Sequence, residues 1–255
     1  MTGNTMLITG GGSGIGQALA KAFHDLGNQV VITGRRREAL DETTAANPGM
    51  RAMTLDIEDA EAIRAFSAQL VKDLPALNVV IHNAGIMREE DVKTGQVDDA
   101  EAHVFTNLLG PIRLTAALLP HLLAQPEAAI LTVSSGLAFV PLALNPTYCA
   151  TKAAIHSYTQ SLRYQLQDTK VQVIELAPPY VQTYLQGERQ AKDPNAMPLK
   201  DYIAETIELL TTQPEAQEIL VERVKPLRTA ESSGNYAGFY RKFNETMIAA
   251  RTKKS

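Results

Sequence analysis

Residues 5–16 read Thr5-Met6-Leu7-Ile8-Thr9-Gly10-Gly11-Gly12-Ser13-Gly14-Ile15-Gly16. A short apolar run runs into a glycine-rich turn, and from Ile15 to Leu26 apolar residues return at three- and four-residue spacing. Strand, tight turn and helix in that order open a strand–helix crossover. Glycines let backbone amides approach a pyrophosphate, and the first N–H groups of the following helix face its charge. The register is Gly-x-x-x-Gly-x-Gly at Gly10, Gly14 and Gly16; Gly-x-Gly-x-x-Gly does not fit, because position 15 is Ile15. In this setting the turn reads as a dinucleotide site, with a ligand-free strand-to-helix turn as the alternative.

The pattern repeats outward from this segment. Val30-Val31-Ile32, Ala52-Met53-Thr54-Leu55, Val79-Val80-Ile81, Ile130-Leu131-Thr132-Val133 and Val171-Gln172-Val173-Ile174 read as further buried strands. Helical spacing fills 60–74, 100–123 and 147–167 between them. Parallel strands need crossovers, so this alternation predicts an α/β fold with helices on both faces of a parallel sheet. The expected architecture is one doubly wound Rossmann-type domain with six to seven strands in the order 3-2-1-4-5-6-7, the last at 218–224. It would span 1–227, including a substrate loop at 184–199. Residues 228–255 are more polar, end in Arg251-Thr-Lys-Lys-Ser255, and carry Tyr236, Phe239, Tyr240 and Phe243 at helical spacing. They are expected to form a helical tail packed on the same domain.

Bulk properties narrow the classes. A chain of 255 residues with 45% hydrophobic and 20% charged residues is globular in balance and builds a large core without staples. Its net charge of -4 offers no basic face, so nucleic acid is not an expected partner. The single cysteine, Cys149, excludes an intrachain disulfide, suits a reducing cytosol, and reads as a small packed residue. No run approaches the roughly 18 apolar residues of a membrane span, and the N-terminus leads straight into a strand without room for a signal peptide. The expectation is a cytoplasmic protein with no membrane partner.

Cofactor choice is read at the end of the second strand, Thr33-Gly34-Arg35-Arg36-Arg37. A site for NAD usually places an acid here against the ribose hydroxyl. Gly34 stands there instead, and the guanidinium forks that follow suit a 2′-phosphate. NADP(H) is therefore expected over NAD, with Arg35 the leading contact, Arg36 second, and Arg37 a solvated charge at a helix start.

Tyr148 and Lys152, four apart in Tyr148-Cys149-Ala150-Thr151-Lys152, share a helical face, with Ser135 thirteen residues upstream. A cation beneath the phenol favours its ionised form, and lowering a phenol by about three pKa units takes roughly 4 kcal/mol. A half-buried ring beside a solvated amine is the plainer reading of the pair alone.

Taken together these residues resemble the classical short-chain dehydrogenase/reductase family over roughly Thr5–Val224. The resemblance makes Thr9–Gly16 a coenzyme loop, with Ser13 and Ile15 among its contacts. Asp56, with Ile57 beside it, matches the acid that accepts from the adenine amino group. Asn83-Ala84-Gly85 matches the end of the fourth strand, with His82 in place of an Asn. Asn107, Ser135, Tyr148 and Lys152 match the family's catalytic residues. After the sixth strand the family's Pro-Gly-x-x-x-Thr is replaced by Pro178-Pro179-Tyr180-Val181-Gln182-Thr183. Pro179 has no N–H and a φ near -65°, so the path of the loop that contacts the carboxamide is open; Pro178, Val181 and Thr183 are its expected contacts. The Pro-Pro variant and Asn107-Leu-Leu-Gly-Pro-Ile112 are similar to the DltE-like oxidoreductase subgroup.

What the resemblance implies is an NADP-dependent dehydrogenase/reductase. Hydride would pass between the nicotinamide and a carbonyl or secondary alcohol of a small or lipophilic substrate. Tyr148 is the expected general acid/base. Lys152 would lower its pKa and hold the nicotinamide ribose, Ser135 would donate to the oxyanion, and Asn107 would anchor a relay water. A non-catalytic NADP(H) sensor or scaffold, and an epimerase or lyase on the same fold, stay open. Expected substrate contacts are Met87, Leu137, Phe139, Leu142, Tyr180, Tyr184 and the loop Leu185–Leu199, read as a mobile lid or an ordinary surface loop. The histidines show no metal-ligand spacing, His82 reads as bonding backbone in a turn, and no metal is expected. Helices 100–123 and 147–167 resemble the family's interface pair, so a homodimer is expected, with a tetramer possible.

Overall fold

The computed structural model describes residues 1–252; Lys253, Lys254 and Ser255, the end of the expected tail, lie outside the described residues. In chain order the elements are β1 (Thr5–Thr9), α1 (Gly14–Asp25), β2 (Gln29–Gly34), α2 (Arg37–Ala45), β3 (Arg51–Thr54), α3 (Ala60–Asp73) and β4 (Leu77–His82). They continue with α4 (Asp98–Val104), a π turn (Phe105–Leu109), α5 (Gly110–Leu123), β5 (Ala128–Val133), α6 (Pro146–Gln165) and β6 (Val171–Leu176). The last are α7 (Glu188–Ala191), α8 (Leu199–Thr212), β7 (Glu218–Ile219), α9 (Lys225–Arg228) and α10 (Tyr236–Thr252).

The seven strands form one parallel sheet in the order β3-β2-β1-β4-β5-β6-β7, the order expected from the sequence. Strand residues alternate between its faces. Met6, Ile8, Val30, Ile32, Leu131 and Ile174 pack on one side with Leu19 and Phe23 of α1 and Tyr202 of α8. Leu7, Val31, Val80, Ile130 and Val173 pack on the other with Phe66 of α3, Leu114 and Leu118 of α5, and Leu162 of α6. Each large side chain fully removed from water contributes about 1.5–3 kcal/mol, so both faces are held by apolar burial.

Three details differ from the sequence reading. The seventh strand is two residues long, because the chain turns into a 3₁₀ helix at Glu222–Val224. The helix expected over 100–123 is broken by the π turn, in which the Gly110 N–H reaches back five residues to the Phe105 carbonyl. Such turns interrupt regular helices where a side chain is being re-aimed, and here that side chain is Asn107. The loop expected over 184–199 holds a short helix, α7, and Val181 forms a parallel bridge with Met197 across its base.

Candidate active site

The glycine turn stands at the carboxyl ends of β1 and β2, where doubly wound sheets bind their ligands. Gly10 has φ +68°, and a Cβ there would meet the Ala84 Cα at 2.9 Å; Gly14 has φ +55°. Gly16 is fully enclosed, and a Cβ on it would run into the Asn83 side chain and the Gly10 carbonyl. Asn83 ties the turn down: its Nδ2 donates to the Thr9 carbonyl at 3.0 Å, and its N–H donates to the Thr9 hydroxyl at 3.0 Å.

Above this turn lies a cleft of about 190 Å³ lined by Gly10, Gly12, Ser13, Gly34, Arg35, Arg36, Leu55, Ile57, Ala84 and Gly85, among others. Thr33, 1% exposed, also lines it, and its hydroxyl has no partner in the protein. A backbone cradle free of side chains and an unsatisfied hydroxyl fit a dinucleotide. The cation side fits as well: Arg35 and Arg36 are exposed at the lip and no acid ends β2. Arg35 rests 3.3 Å from Glu58, whose carboxylate also accepts from the Thr106 hydroxyl at 2.6 Å; this acid was not singled out in the sequence. Arg36 donates to Ser13 at 3.4 Å, and Arg37 pairs with Asp41 one turn on. Asp56 is exposed and accepts from the Glu58 N–H at 3.0 Å.

Asn107 is carried into the site by the π turn. Its Oδ1 accepts from the Ile86 N–H at 2.9 Å, and its Nδ2 donates to the Ile86 carbonyl at 3.0 Å and the Thr151 hydroxyl at 3.2 Å. Both amide donors are thus spent on holding the chain after β4 against α6. The Thr151 hydroxyl in turn donates to the Tyr148 carbonyl at 2.7 Å.

Tyr148, Lys152 and Ser135 meet at the end of β5. All three are buried, with Tyr148 6% exposed. Lys152 Nζ donates to the Val133 carbonyl at 2.8 Å and lies 5.7 Å from the centre of the Tyr148 ring, within cation–π range. It also borders Gly85, whose Cβ would stand 3.7 Å from Nζ, and Gly85 in turn lines the cleft. Ser135 accepts from the Leu137 N–H at 3.1 Å and stands near enough to Tyr148 to influence its phenol. Ser134 turns away toward the Leu176 carbonyl at 3.4 Å.

The electrostatics of the free protein are set first by burial. Without cofactor, burial is the largest influence on Tyr148 and pushes the phenol up, while the neighbouring Ser135 hydroxyl opposes it. Lys152 is itself lowered to about 8 by burial, with Glu175 acting against the fall. In the free protein burial favours the protonated phenol, and the lowering expected of Lys152 with a cationic cofactor ring concerns the bound site.

His82 departs from expectation. His82 does not bond a turn backbone, a role that falls to Asn83. Its Nε2 meets the Thr115 hydroxyl at 2.8 Å, and burial lowers it to about 4. His103 lies edge-on to Tyr148 at 6.2 Å and accepts from the Arg88 N–H at 3.0 Å. His156 Nδ1 lies 2.7 Å from Glu175. Helical spacing alone hid these contacts, because their partners come from distant elements.

Around Tyr148, Met87, Leu137, Leu142 and Leu144 pack with the ring and Cys149, and Phe243 and Met247 of α10 join them. Asn244 fixes α10 there, accepting from the Ala143 N–H at 2.6 Å and donating to the Pro141 carbonyl at 3.1 Å. Phe243 belongs to the stripe that the sequence marks for packing, whereas no local signal marks Met247. Phe139 faces elsewhere, against His156 and Arg228, because the 3₁₀ turn Gly136–Ala138 rotates it off this wall. Tyr184 is 69% exposed, and Tyr180 donates toward Asp193 at 3.3 Å. Despite Pro179, the next loop closes on the glycine turn. Thr183 lies 3.6 Å from where a Gly14 Cβ would stand, and Gln190 donates to the Val181 carbonyl at 2.8 Å and the Thr183 hydroxyl at 3.1 Å. Cys149 is a packed thiol: it accepts from the Leu142 N–H at 3.2 Å, and burial pushes it up to about 11.

Comparison with known proteins agrees with this architecture. The short chain dehydrogenase family model matches residues 4–194. The chain is 44% identical over 237 residues to the uncharacterized oxidoreductase DltE of Bacillus subtilis (strain 168), covering 90% of this chain and 92% of that protein. Among solved structures, a short chain dehydrogenase from Burkholderia cenocepacia J2315 in complex with NADP superposes with a TM-score of 0.81 at 23% identity, covering 94% of this chain and 97% of that one. A short chain dehydrogenase/reductase from Burkholderia phymatum in complex with NAD gives 0.80 at 19% identity, covering 91% and 94%. The chain belongs to the short chain dehydrogenase family, within its DltE-like group of oxidoreductases.

Proposed function

We propose that the protein is an NADP(H)-dependent oxidoreductase acting on a carbonyl or secondary alcohol of a small, lipophilic substrate. The observation that carries this reading is the buried Tyr148 phenol with Lys152 Nζ 5.7 Å from its ring centre, the lysine in turn bordering Gly85 of the glycine-loop cleft. Gly10, Ser13, Gly14, Ile15 and Gly16 would hold the pyrophosphate, and Arg35 with Arg36 the 2′-phosphate. Asp56 and Ile57 would border the adenine, Asn83, Ala84 and Gly85 the ribose side, and Pro178, Val181 and Thr183 the carboxamide. The bound cofactor supplies or accepts the hydride.

In reduction, Tyr148 Oη gives its proton to the carbonyl oxygen as the substrate carbon gains hydride; in oxidation it takes that proton back. Burial keeps the free phenol protonated, the form that reduction needs. The Ser135 hydroxyl donates to the same oxygen as charge develops. Lys152 keeps a positive charge beside the phenolate that forms. Met87, Leu137, Leu142, Phe243 and Met247 supply an apolar wall, which favours lipophilic carbonyl compounds. Tyr180 and Tyr184 would contribute from the loop side.

The test is a panel of carbonyls and alcohols followed at 340 nm with NADPH or NADP⁺. Turnover that vanishes in Tyr148→Phe supports the reading. NADPH binding without turnover across the panel points to a sensor, and product at constant 340 nm absorbance points to an epimerase or lyase. The same reading takes the protein as a cytosolic homodimer. Phe105, Leu123 and Tyr164 are large exposed side chains on the π turn, α5 and α6, and sedimentation checks the dimer. Among the described residues no helix is long and apolar enough to cross a membrane.

A further inference from the structure

The polar layer beneath α6 continues beyond the tyrosine–lysine couple. Tyr148, Lys152 and His156 follow one another at four-residue steps and so run along one helical stripe. Glu175 faces that stripe from β6 and is 0% exposed. Its Oε2 lies 2.7 Å from His156 Nδ1, while Oε1 has no hydrogen-bond partner. In the sheet Glu175 stands opposite Thr132, one residue before Val133, the carbonyl that accepts from Lys152. A carboxylate buried inside a parallel sheet is costly unless cations compensate it.

A metal is one candidate cation, since ligand atoms of His156, Glu175 and Glu218 lie within 4.8 Å of one another. Arg228 already takes both Glu218 oxygens, at 2.7 and 3.2 Å, and His156 takes Glu175, so side chains do the neutralising. Arg163, also nearby, spends its donors on the Val173 and Gln217 carbonyls at 2.9 and 2.8 Å. Arg163 adds its charge from a distance, and His156 and Lys152 answer Glu175 from the same stripe of α6.

We propose that Glu175, held in place by His156, is a positioning residue that fixes the positive charge of Lys152 beneath Tyr148. This rests on Tyr148 and Lys152 being the proton-transfer couple. Burial alone favours the neutral amine, and Glu175 is the group that works against it. The Glu175 hydrogen bond likewise raises His156, so the pair supports charge on both cations of the stripe. Glu218 and Arg228 face the pair from β7 and α9 and are committed to each other.

Glu175→Gln keeps an acceptor for His156 and removes the charge. With NADPH and a carbonyl substrate, the basic limb of kcat/KM should move to lower pH by about one unit. Affinity for NADPH at pH 6, where Lys152 is protonated in either protein, should stay within about twofold. Glu218→Gln should leave the limb where it is. In the cofactor-free protein, NMR of ¹⁵Nζ-labelled lysine, with Lys152 assigned through Lys152→Met, should show the same downward shift in Glu175→Gln. If Glu175→Gln does not fold, His156→Gln should give a smaller shift in the same direction. A folded variant whose Lys152 titration and basic limb both stay in place overturns the proposal. Absence of turnover in the unaltered protein counts against the oxidoreductase reading, and the NMR titration then decides the role of Glu175 by itself.

Discussion

The two halves of the sheet build function by opposite means. Around β1–β3 the cleft is made from missing side chains: Gly10, Gly12, Gly34 and Gly85 line it, and its charged groups, Arg35 and Arg36, stand in solvent at the lip. Around β5–β7 the chemistry lies in buried titratable groups, Tyr148, Lys152 and Glu175, which meet His103, the Val133 carbonyl and His156 from other elements. The first half binds by letting a ligand reach backbone amides. The second holds charges out of water, where a partner's presence or absence decides their protonation.

The comparison breaks most readily at Tyr148. Tyr148→Phe removes only the proton donor, so turnover at 340 nm should fall by about 10³ or more while NADPH titrates normally. Retained turnover would remove the tyrosine from the chemistry. On the backbone side, Gly16→Val drives a side chain into Asn83 and the Gly10 carbonyl. We expect a loss of stability of about 1–3 kcal/mol in urea melts and NADPH binding weakened by well over tenfold. Wild-type affinity would show that the turn tolerates side chains and does not cradle a ligand.

Buried groups also set the pH behaviour. His82 is lowered to about 4 from its ordinary value of 6.5, so between those values the unfolded chain binds more protons than the folded one. Its contribution is fully present above pH 6.5 and is lost as pH falls toward 4, by about 3 kcal/mol. Urea melts across that window should show the slope, and His82→Asn should flatten it. On the basic side, Lys152 at about 8 predicts that kcat/KM declines above that pH, as the charge beneath Tyr148 disappears. The smallest expected effect is at the solvent-exposed lip. Arg35→Ala should narrow the preference for NADPH over NADH by about tenfold, measured by fluorescence titration. An unchanged ratio would move the phosphate contact to Arg36.

Legibility followed the same division. The glycine turn, the Tyr148–Lys152 spacing and the alternation of strands with helices are local or periodic signals, and the sequence carries them openly. The His82 contact with Thr115, the pairing of Glu175 with His156, and the edge of His103 against Tyr148 join residues 19 to 45 positions apart, and no local spacing encodes such meetings. The π turn at Asn107 was invisible because apolar periodicity continues through it. The apolar stripe of α10 was legible as a packing face, but not that Phe243 and Met247 meet the wall around Tyr148.

By itself the sequence determined the alternating parallel architecture, the glycine turn and the residue types that meet at the cleft, because hydrophobic period and backbone freedom are properties of neighbours along the chain. The tertiary structure decided the electrical state of those residues. Burial pushes the Tyr148 phenol up and Lys152 down, and Glu175 opposes the loss of charge on the lysine. Desolvation and counter-charge depend on what the fold brings within a few ångströms, and only the folded chain sets that distance.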